Sequence, residues 1–283
     1  MTYDKIRKGS KVAQIVSELQ DLTYLSWAQA RQSSGTAGSF LKSYDDTGAT
    51  KVYYKLSDYR VGDGIVGHEC VNEIIVDRLL EILGIQHLHY QLIHAKVLVD
   101  GTIHETWLNA SEDFKAPGES KMALDTYYEL ERREGEAPLD FCRRMGWAAR
   151  IWEMLLVDYL ILNRDRHGAN IEVLRNPRAR TLRLGPLFDH GLSLLFRCRS
   201  AQDIASFDVM KDLPVQSFIG SSSTRRNLEL IPPAEFPKVG QLYEEDRRAL
   251  FDGLEQATAP AWRDAVWSMI WQRWCDIAAL QTA

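Results

Sequence analysis

The sequence predicts an α+β fold in two lobes: a mainly antiparallel sheet lobe over residues 1–114 and a helical lobe over residues 115–283. Three observations predict it. In the first part, short β-rich runs alternate with Gly and Asp-Gly turn signals. In the second, apolar residues recur mostly at helical spacing. One apolar hairpin interrupts those helices, and two polar clusters bracket it: Asn163-Arg-Asp-Arg-His-Gly-Ala-Asn170 and Phe188-Asp-His-Gly191.

Taken in order, Val12, Ile15, Val16, Leu19 and Leu22 predict a short helix or extension. The basic cluster Lys5, Arg7, Lys8 and Lys11 reads as a solvated terminus. Ser33-Ser-Gly-Thr-Ala-Gly-Ser39 is a loop of small residues. Phe40 to Tyr44 and Lys51 to Leu56 read as strands joined by the turn Asp45-Asp-Thr-Gly48. Alternation puts Tyr53 and Lys55 on one face of the second strand and Val52, Tyr54 and Leu56 on the other. Glu69 to Leu83 is an amphipathic helix ended by Gly84. Gln91 to Val99 and Thr102 to Leu108 flank Asp100-Gly101, a strong hairpin signal. Asn109 to Gly118 reads as the link between lobes.

In the second lobe, Leu139 to Leu162 predicts one long helix, apolar nearly all round at its end and therefore buried. Asp158 inside it needs partners if buried; Arg164, Arg166 and His167 in the next loop are the candidates, unless Asp158 emerges at the surface. Ile171 to Leu174 and Thr181 to Phe188 read as a hairpin turning at Asn176-Pro177. Leu192 to Ile231 is irregular and stands where kinases place an activation segment; its Arg225-Arg226 pair reads as a solvated basic turn, with contact to a substrate or phosphate as the alternative. Ala234 to Ala257 and Ala261 to Leu280 predict two closing helices. Core packing is the default meaning of the stripe Trp262, Val266, Met269, Ile270, Trp274 and Ile277.

The hairpin brings Asn170 and Asp189 roughly opposite each other at its open end, with Asp165 just before the first strand. Oxygen ligands of this kind suit Mg²⁺, a hard cation that takes one or two carboxylates with phosphate oxygens and water. Asp165 precedes Asn170 by the spacing between base and metal ligand in protein-kinase catalytic loops, and Asp189 stands where kinases place the Asp of Asp-Phe-Gly. The small-residue loop, Ser34, Gly35, Thr36, Ala37, Gly38 and Ser39, has the composition to cover nucleotide phosphates with backbone N–H groups. Lys55 is the candidate phosphate lysine and Lys42 its competitor. Glu73 is its candidate helix partner, with Glu69 one turn earlier as the alternative. His167 reads as a structural loop residue.

Composition narrows the function classes. A formal net charge of −5 argues against nonspecific nucleic-acid binding as the main role. Cys70, Cys142, Cys198 and Cys275 are far apart, suggesting neither a disulfide framework nor a cysteine zinc site. The charged N-terminus lacks an apolar signal core, and the apolar stretch Met154 to Leu162 is too short to span a bilayer. The expectation is a reduced cytoplasmic setting.

The motifs resemble those of the HipA-type serine/threonine kinases. The resemblance rests on Asn163-x-Asp-x-His-x-x-Asn170, Gly185-Pro-Leu-Phe-Asp-His-Gly191, the loop at Ser33 to Ser39, Lys55 and Asn72-Glu73. It covers about Ser33 to Leu280. It implies a two-lobed protein-kinase-like fold, ATP and Mg²⁺ as cofactors, Asp165 as catalytic base, Asn170 and Asp189 as metal ligands, and Lys55 as phosphate lysine. It further implies self-phosphorylation at Ser33 or Ser34, a protein serine or threonine as substrate, and a toxin-like role with an antitoxin partner. Two departures stand out. The family's extra N-terminal subdomain has too few residues here, and the expectation is that it is a separate small protein or absent. The loop also ends Ser-Phe-Leu-Lys42 rather than Pro-Lys. A small-molecule or lipid kinase with the same core, and a nucleotide-binding pseudokinase, are the competing readings.

Overall fold

The computed structural model describes residues 14–29, 40–48 and 50–282. The loop Ser33 to Ser39 and the basic cluster at Lys5 to Lys11 lie outside the described residues. The first half comprises β1 (Gln14–Asp21), β2 (Ala28–Gln29), β3 (Leu41–Asp45), β4 (Val52–Leu56), β5 (Asp58–Arg60), β6 (Gly64–Val66), α1 (Glu69–Leu83), β7 (Gln91–Val99) and β8 (Thr102–Glu112). Six of the strands form one sheet in the order β1-β7-β8-β4-β3-β2, and β5 and β6 pair separately.

The sheet follows from alternation. Val52, Tyr54 and Leu56 of β4 are buried, while Tyr53 and Lys55 occupy the opposite face. Asp100 and Gly101 both take positive φ, 48° and 77°, as the tight β7–β8 turn requires. β8 runs past Leu108 because its far half pairs with β4, from Leu56 opposite Leu108 to Val52 opposite Glu112. β1 corrects the helix expectation. It pairs in parallel with β7, Ile15 opposite Leu92 and Val16 opposite Ile93. Ile15 packs on the larger core and Val16 on the sheet core, opposite faces that only an extended chain presents.

α1 is buried along most of its length. Gly84 ends it in the left-handed conformation, and Ile85 N–H reaches back to Leu80 O at 2.9 Å.

The second half comprises β9 (Ser120–Ala123), α2 (Leu124–Glu131), α3 (Pro138–Arg144), α4 (Ala148–Leu160), β10 (Asp165–Arg166), β11 (Glu172–Asn176), β12 (Thr181–Leu184), α5 (Ala201–Ser206), β13 (Gln216–Ser217), α6 (Thr224–Leu228), α7 (Asp246–Phe251) and α8 (Pro260–Thr282). Strands β12, β11 and β9 form a small sheet, and β10 pairs with β13.

Three expectations are corrected here. The single helix over 139–162 is two, because Gly146 takes φ 76° and Trp147 N–H closes onto Cys142 O. The helix over 234–257 shrinks to α7, since Pro237 and Gly240 lie in a segment that crosses the end of α1. The second hairpin strand stops at Leu184 rather than Phe188; Leu187 instead bridges to His87.

One apolar core runs from α1 through α4 to α8 and joins the two halves of the chain. The α8 stripe is buried as expected, and Trp262 stacks on His68 with ring centroids 4.5 Å apart. No described helix is long and apolar enough to cross a membrane.

Gly240 fixes how the later chain meets α1. Its N–H donates to Leu83 O at 2.8 Å, and an added Cβ would lie 2.4 Å from Ile82 O. Gly240→Ala should therefore lower stability by about 1–3 kcal/mol. A urea unfolding midpoint equal to that of the parent protein would contradict this contact.

Candidate active site

The site grows from the end of α4. Asp158, buried in that helix, accepts from Arg166 Nη2 at 2.9 Å, from Arg166 Nε at 3.1 Å and from Asn163 Nδ2 at 2.9 Å. The anchoring reading of Asp158 thus holds over the surface alternative. Arg166 does more than pair with it. Its Nη1 donates to Asn170 O at 3.1 Å and to Phe188 O at 3.0 Å. One buried guanidinium therefore joins α4, the turn before β11 and the segment before Asp189. Asn163 Oδ1 accepts Asp165 N–H at 3.1 Å, and Asn170 Nδ2 donates to Asp165 O at 2.8 Å. Gly168 is required between them, since a Cβ there would lie 2.4 Å from Asp125 Cβ.

Asp189 sits at φ 57°, a left-handed conformation that Asp adopts more readily than most residues. Its surroundings impose it. Asp189 N–H donates to Tyr90 Oη at 3.2 Å. The next two N–H groups, His190 and Gly191, donate to Glu73 Oε2 and Oε1 at 2.8 and 3.1 Å. Asn72 Nδ2 donates to Gly191 O and Ser193 O at 2.8 and 2.9 Å. α1 thus holds the Asp189 turn through two consecutive side chains.

From the sheet, Lys55 reaches the same turn. Its Nζ lies 2.5 Å from Asp189 Oδ1 and 3.5 Å from Glu73 Oε1. Glu73, rather than Glu69, is the helix partner of Lys55. Glu69 is also buried, and its Oε2 faces Asp58 N–H at 3.4 Å. Lys42, directly across from Lys55 in the β3–β4 ladder, is half exposed and lies 4.0 Å from Asp189 Oδ2.

Burial disfavours charge on Lys55, but Asp189 and Glu73 outweigh it and hold the ammonium above its ordinary pKa. Burial likewise opposes charge on Asp189, and Lys55 and Lys42 hold it well below the usual carboxylate range. Asp165 moves the other way: burial raises it, against the pull of His167, and the nearby Asp189 charge adds to the rise. Two carboxylates are thus pushed apart, one firmly ionised and the other made more basic.

These residues fit a divalent cation with phosphate. Asp165 Oδ1 is buried with no hydrogen-bond partner among the described residues, which leaves it for a cation or an acceptor hydroxyl. With Asn170 and Asp189 the donor set is oxygen, as Mg²⁺ prefers. His167 Nε2 lies 3.7 Å from Asp165 Oδ2, beside the site. Phe114, in the expected inter-lobe link, packs on Phe188 with centroids 5.8 Å apart. The candidates Ser34, Gly35, Thr36, Ala37, Gly38 and Ser39, with Ser33, lie outside the described residues.

Arg225 and Arg226 lie in α6 rather than in a turn; Arg226 is exposed, and the 43% exposed Arg225 donates to Asp276 Oδ2 at 2.8 Å. Sequence reasoning gave Asn72 no role of its own. Only its place beside Glu73, four residues into a helix, hinted that both face one turn.

The described chain can be set beside solved structures. It is similar to the Helicobacter pylori proinflammatory kinase CtkA, with a TM-score of 0.56 and 14% identity over 90% of this chain and 94% of that one. The chain has a kinase-like fold. Shewanella oneidensis MR-1 HipA, in its complex with HipB and operator DNA, aligns at a TM-score of 0.41 and 16% identity, over 89% of this chain and 60% of that one. A Golgi casein kinase aligns at 0.43 and 11%, over 88% and 70%. The CtkA likeness shows the fold. No protein-family model and no curated protein matches the sequence.

The kinase-like core hangs on Asp158. Replacing it leaves the Arg166 charge buried without its carboxylate, so Asp158→Ala should cost about 3–5 kcal/mol. Thermal and urea unfolding check this; a loss below about 1 kcal/mol would mean that Arg166 is held by its carbonyl partners alone.

Proposed function

We propose that the chain is an ATP- and Mg²⁺-dependent phosphotransferase acting on a serine or threonine of a protein, of the HipA type. The observation that supports this most is the convergence of Lys55, Glu73 and Asp189 beside Asp165, whose buried Oδ1 has no hydrogen-bond partner among the described residues, on a kinase-like fold. Lys55 binds and orients phosphate oxygens. Glu73 keeps that lysine charged and holds the His190 and Gly191 N–H groups. Asn170 and Asp189 would hold Mg²⁺. When bound, Mg²⁺ would supply positive charge to offset what develops on the transferring phosphoryl group. Asp165 orients the acceptor hydroxyl and takes its proton at Oδ1, a task its raised pKa favours. The loop Ser34 to Ser39 would cover the phosphates, with Ser33 or Ser34 as the self-modified residue. In this reading the protein is cytoplasmic and toxin-like, and an antitoxin or a small N-subdomain-like protein is its partner.

Transfer from labelled ATP into a cell extract, measured beside calorimetric Mg·ATP titration, tests the reading. Asp165→Ala should bind Mg·ATP nearly as well as the parent and lose transfer by about 10²-fold or more. Lys55→Met should lose transfer sharply and Lys42→Met should retain most of it. Normal transfer by Asp165→Ala would overturn the assignment of the base. Binding with no transfer by the parent protein would favour the pseudokinase. Peptide mass spectrometry of the same samples locates any phosphate on Ser33 or Ser34.

A further inference from the structure

A second cluster of ligand-type side chains lies behind the site, where α1 ends and the chain turns into β7. Asp77 Oδ1 is 2.9 Å from His87 Nε2 and 3.1 Å from His89 Nδ1. The three ligand atoms all lie within 4.8 Å of one another. Asp77 and His87 are buried, whereas the His89 side chain is 53% exposed.

The hydrogen bonds of His87 constrain what the cluster holds. Its Nδ1 lies 2.6 Å from Ile85 O. A carbonyl only accepts, so Nδ1 carries a hydrogen. In the neutral ring, Nε2 then presents a lone pair to a carboxylate oxygen at 2.9 Å, one acceptor facing another. A positive centre must lie between them: a second ring proton or a metal ion. The His89 ring nitrogen is turned to the same oxygen, so a metal ion there would meet three ligands.

We propose that Asp77 Oδ1, His87 Nε2 and His89 Nδ1 bind a divalent transition ion of the Zn²⁺ type. Two imidazoles and a carboxylate suit Zn²⁺, and nitrogen ligands exclude Mg²⁺ as the preferred ion. A metal-bound imidazole characteristically donates its other N–H to a carbonyl or carboxylate, as His87 does to Ile85. The carboxylate is supported in the same way: Asp77 Oδ2 accepts Tyr90 N–H at 2.7 Å. Ligands bonded tetrahedrally to zinc sit roughly 3.3 Å apart, so the two separations from Asp77 Oδ1 need to open by only a few tenths of an ångström. The exposed His89 side leaves a way in for the ion and room for water as fourth ligand.

The position gives the ion a structural effect. The segment it gathers carries Tyr90, whose hydroxyl accepts Asp189 N–H, and Leu88, whose N–H donates to Leu187 O at 2.8 Å. An ion at this point braces the backbone on which the Asp189 turn rests. Its binding does not depend on the proposed phosphotransfer.

Metal-stripped full-length protein, titrated with Zn²⁺ by calorimetry and with Co²⁺ by visible absorption in excess Mg²⁺, tests the site. One equivalent should bind, Co²⁺ should show the strong bands of tetrahedral coordination, and Zn²⁺ should raise the melting temperature. Asp189→Asn should keep this binding, which separates it from the Mg²⁺ site. His89→Ala, at a half-exposed position, should melt like the stripped parent and bind Zn²⁺ about tenfold or more weakly; His87→Gln should do the same. No uptake by the parent, or uptake unchanged in both histidine variants, would overturn the proposal and leave a His87 imidazolium paired with Asp77.

Discussion

The site depends on a buried guanidinium. Arg166 is 1% exposed and cannot shed its charge, so every donor it carries must be met. Asp158 meets one edge, and the carbonyls of Asn170 and Phe188 meet the other. Each acceptor belongs to a different part of the chain. Satisfying one side chain therefore fixes the end of α4, the turn that carries Asn170 and the approach to Asp189. Asn163, between Asp158 and the Asp165 N–H, extends the same constraint to the candidate base.

A second constraint is electrostatic. Lys42 and Lys55 stand directly opposite each other on adjacent strands, where like charges destabilise a sheet. Asp189 lies within reach of both, and Glu73 adds a second carboxylate beside Lys55. The sheet therefore presents cations that need anions; α1 supplies Glu73, and the turn after the β11–β12 hairpin supplies Asp189. Phosphate is the ligand that such lysines would take in place of Asp189. Donors fixed before a ligand arrives cost no reorganisation when charge develops. The left-handed Asp189 backbone is held by Tyr90, Glu73 and Asn72.

Much of this was legible in the sequence wherever a local rule and the tertiary structure agree. Strand alternation put Lys55 on the face away from the sheet core. Gly84 marked the end of α1, Asp100-Gly101 marked the hairpin, and a carboxylate inside an apolar helix called for the arginine loop that follows it. The rest depended on partners distant in sequence. β1 has apolar residues at helical spacing, but the open edge of β7 offers backbone groups that an extended chain satisfies. Gly146 sits in a run that reads as continuous helix, and only its positive φ shows the break. The segment around Gly240 is irregular because it must pass within hydrogen-bonding distance of α1. Asn72 Nδ2 and Arg166 Nη1 donate to backbone carbonyls, which no residue pattern reveals.

The central claim is that Lys55 and Glu73 act as one charged unit on phosphate. A double-mutant cycle in Mg·ATP affinity measures this most directly, using Lys55→Met, Glu73→Gln and the pair. If the two residues act together, the single changes will each weaken binding and the double change will cost much less than their sum. Fully additive losses would mean that Glu73 shapes only the Asp189 turn and that Lys55 meets phosphate without it.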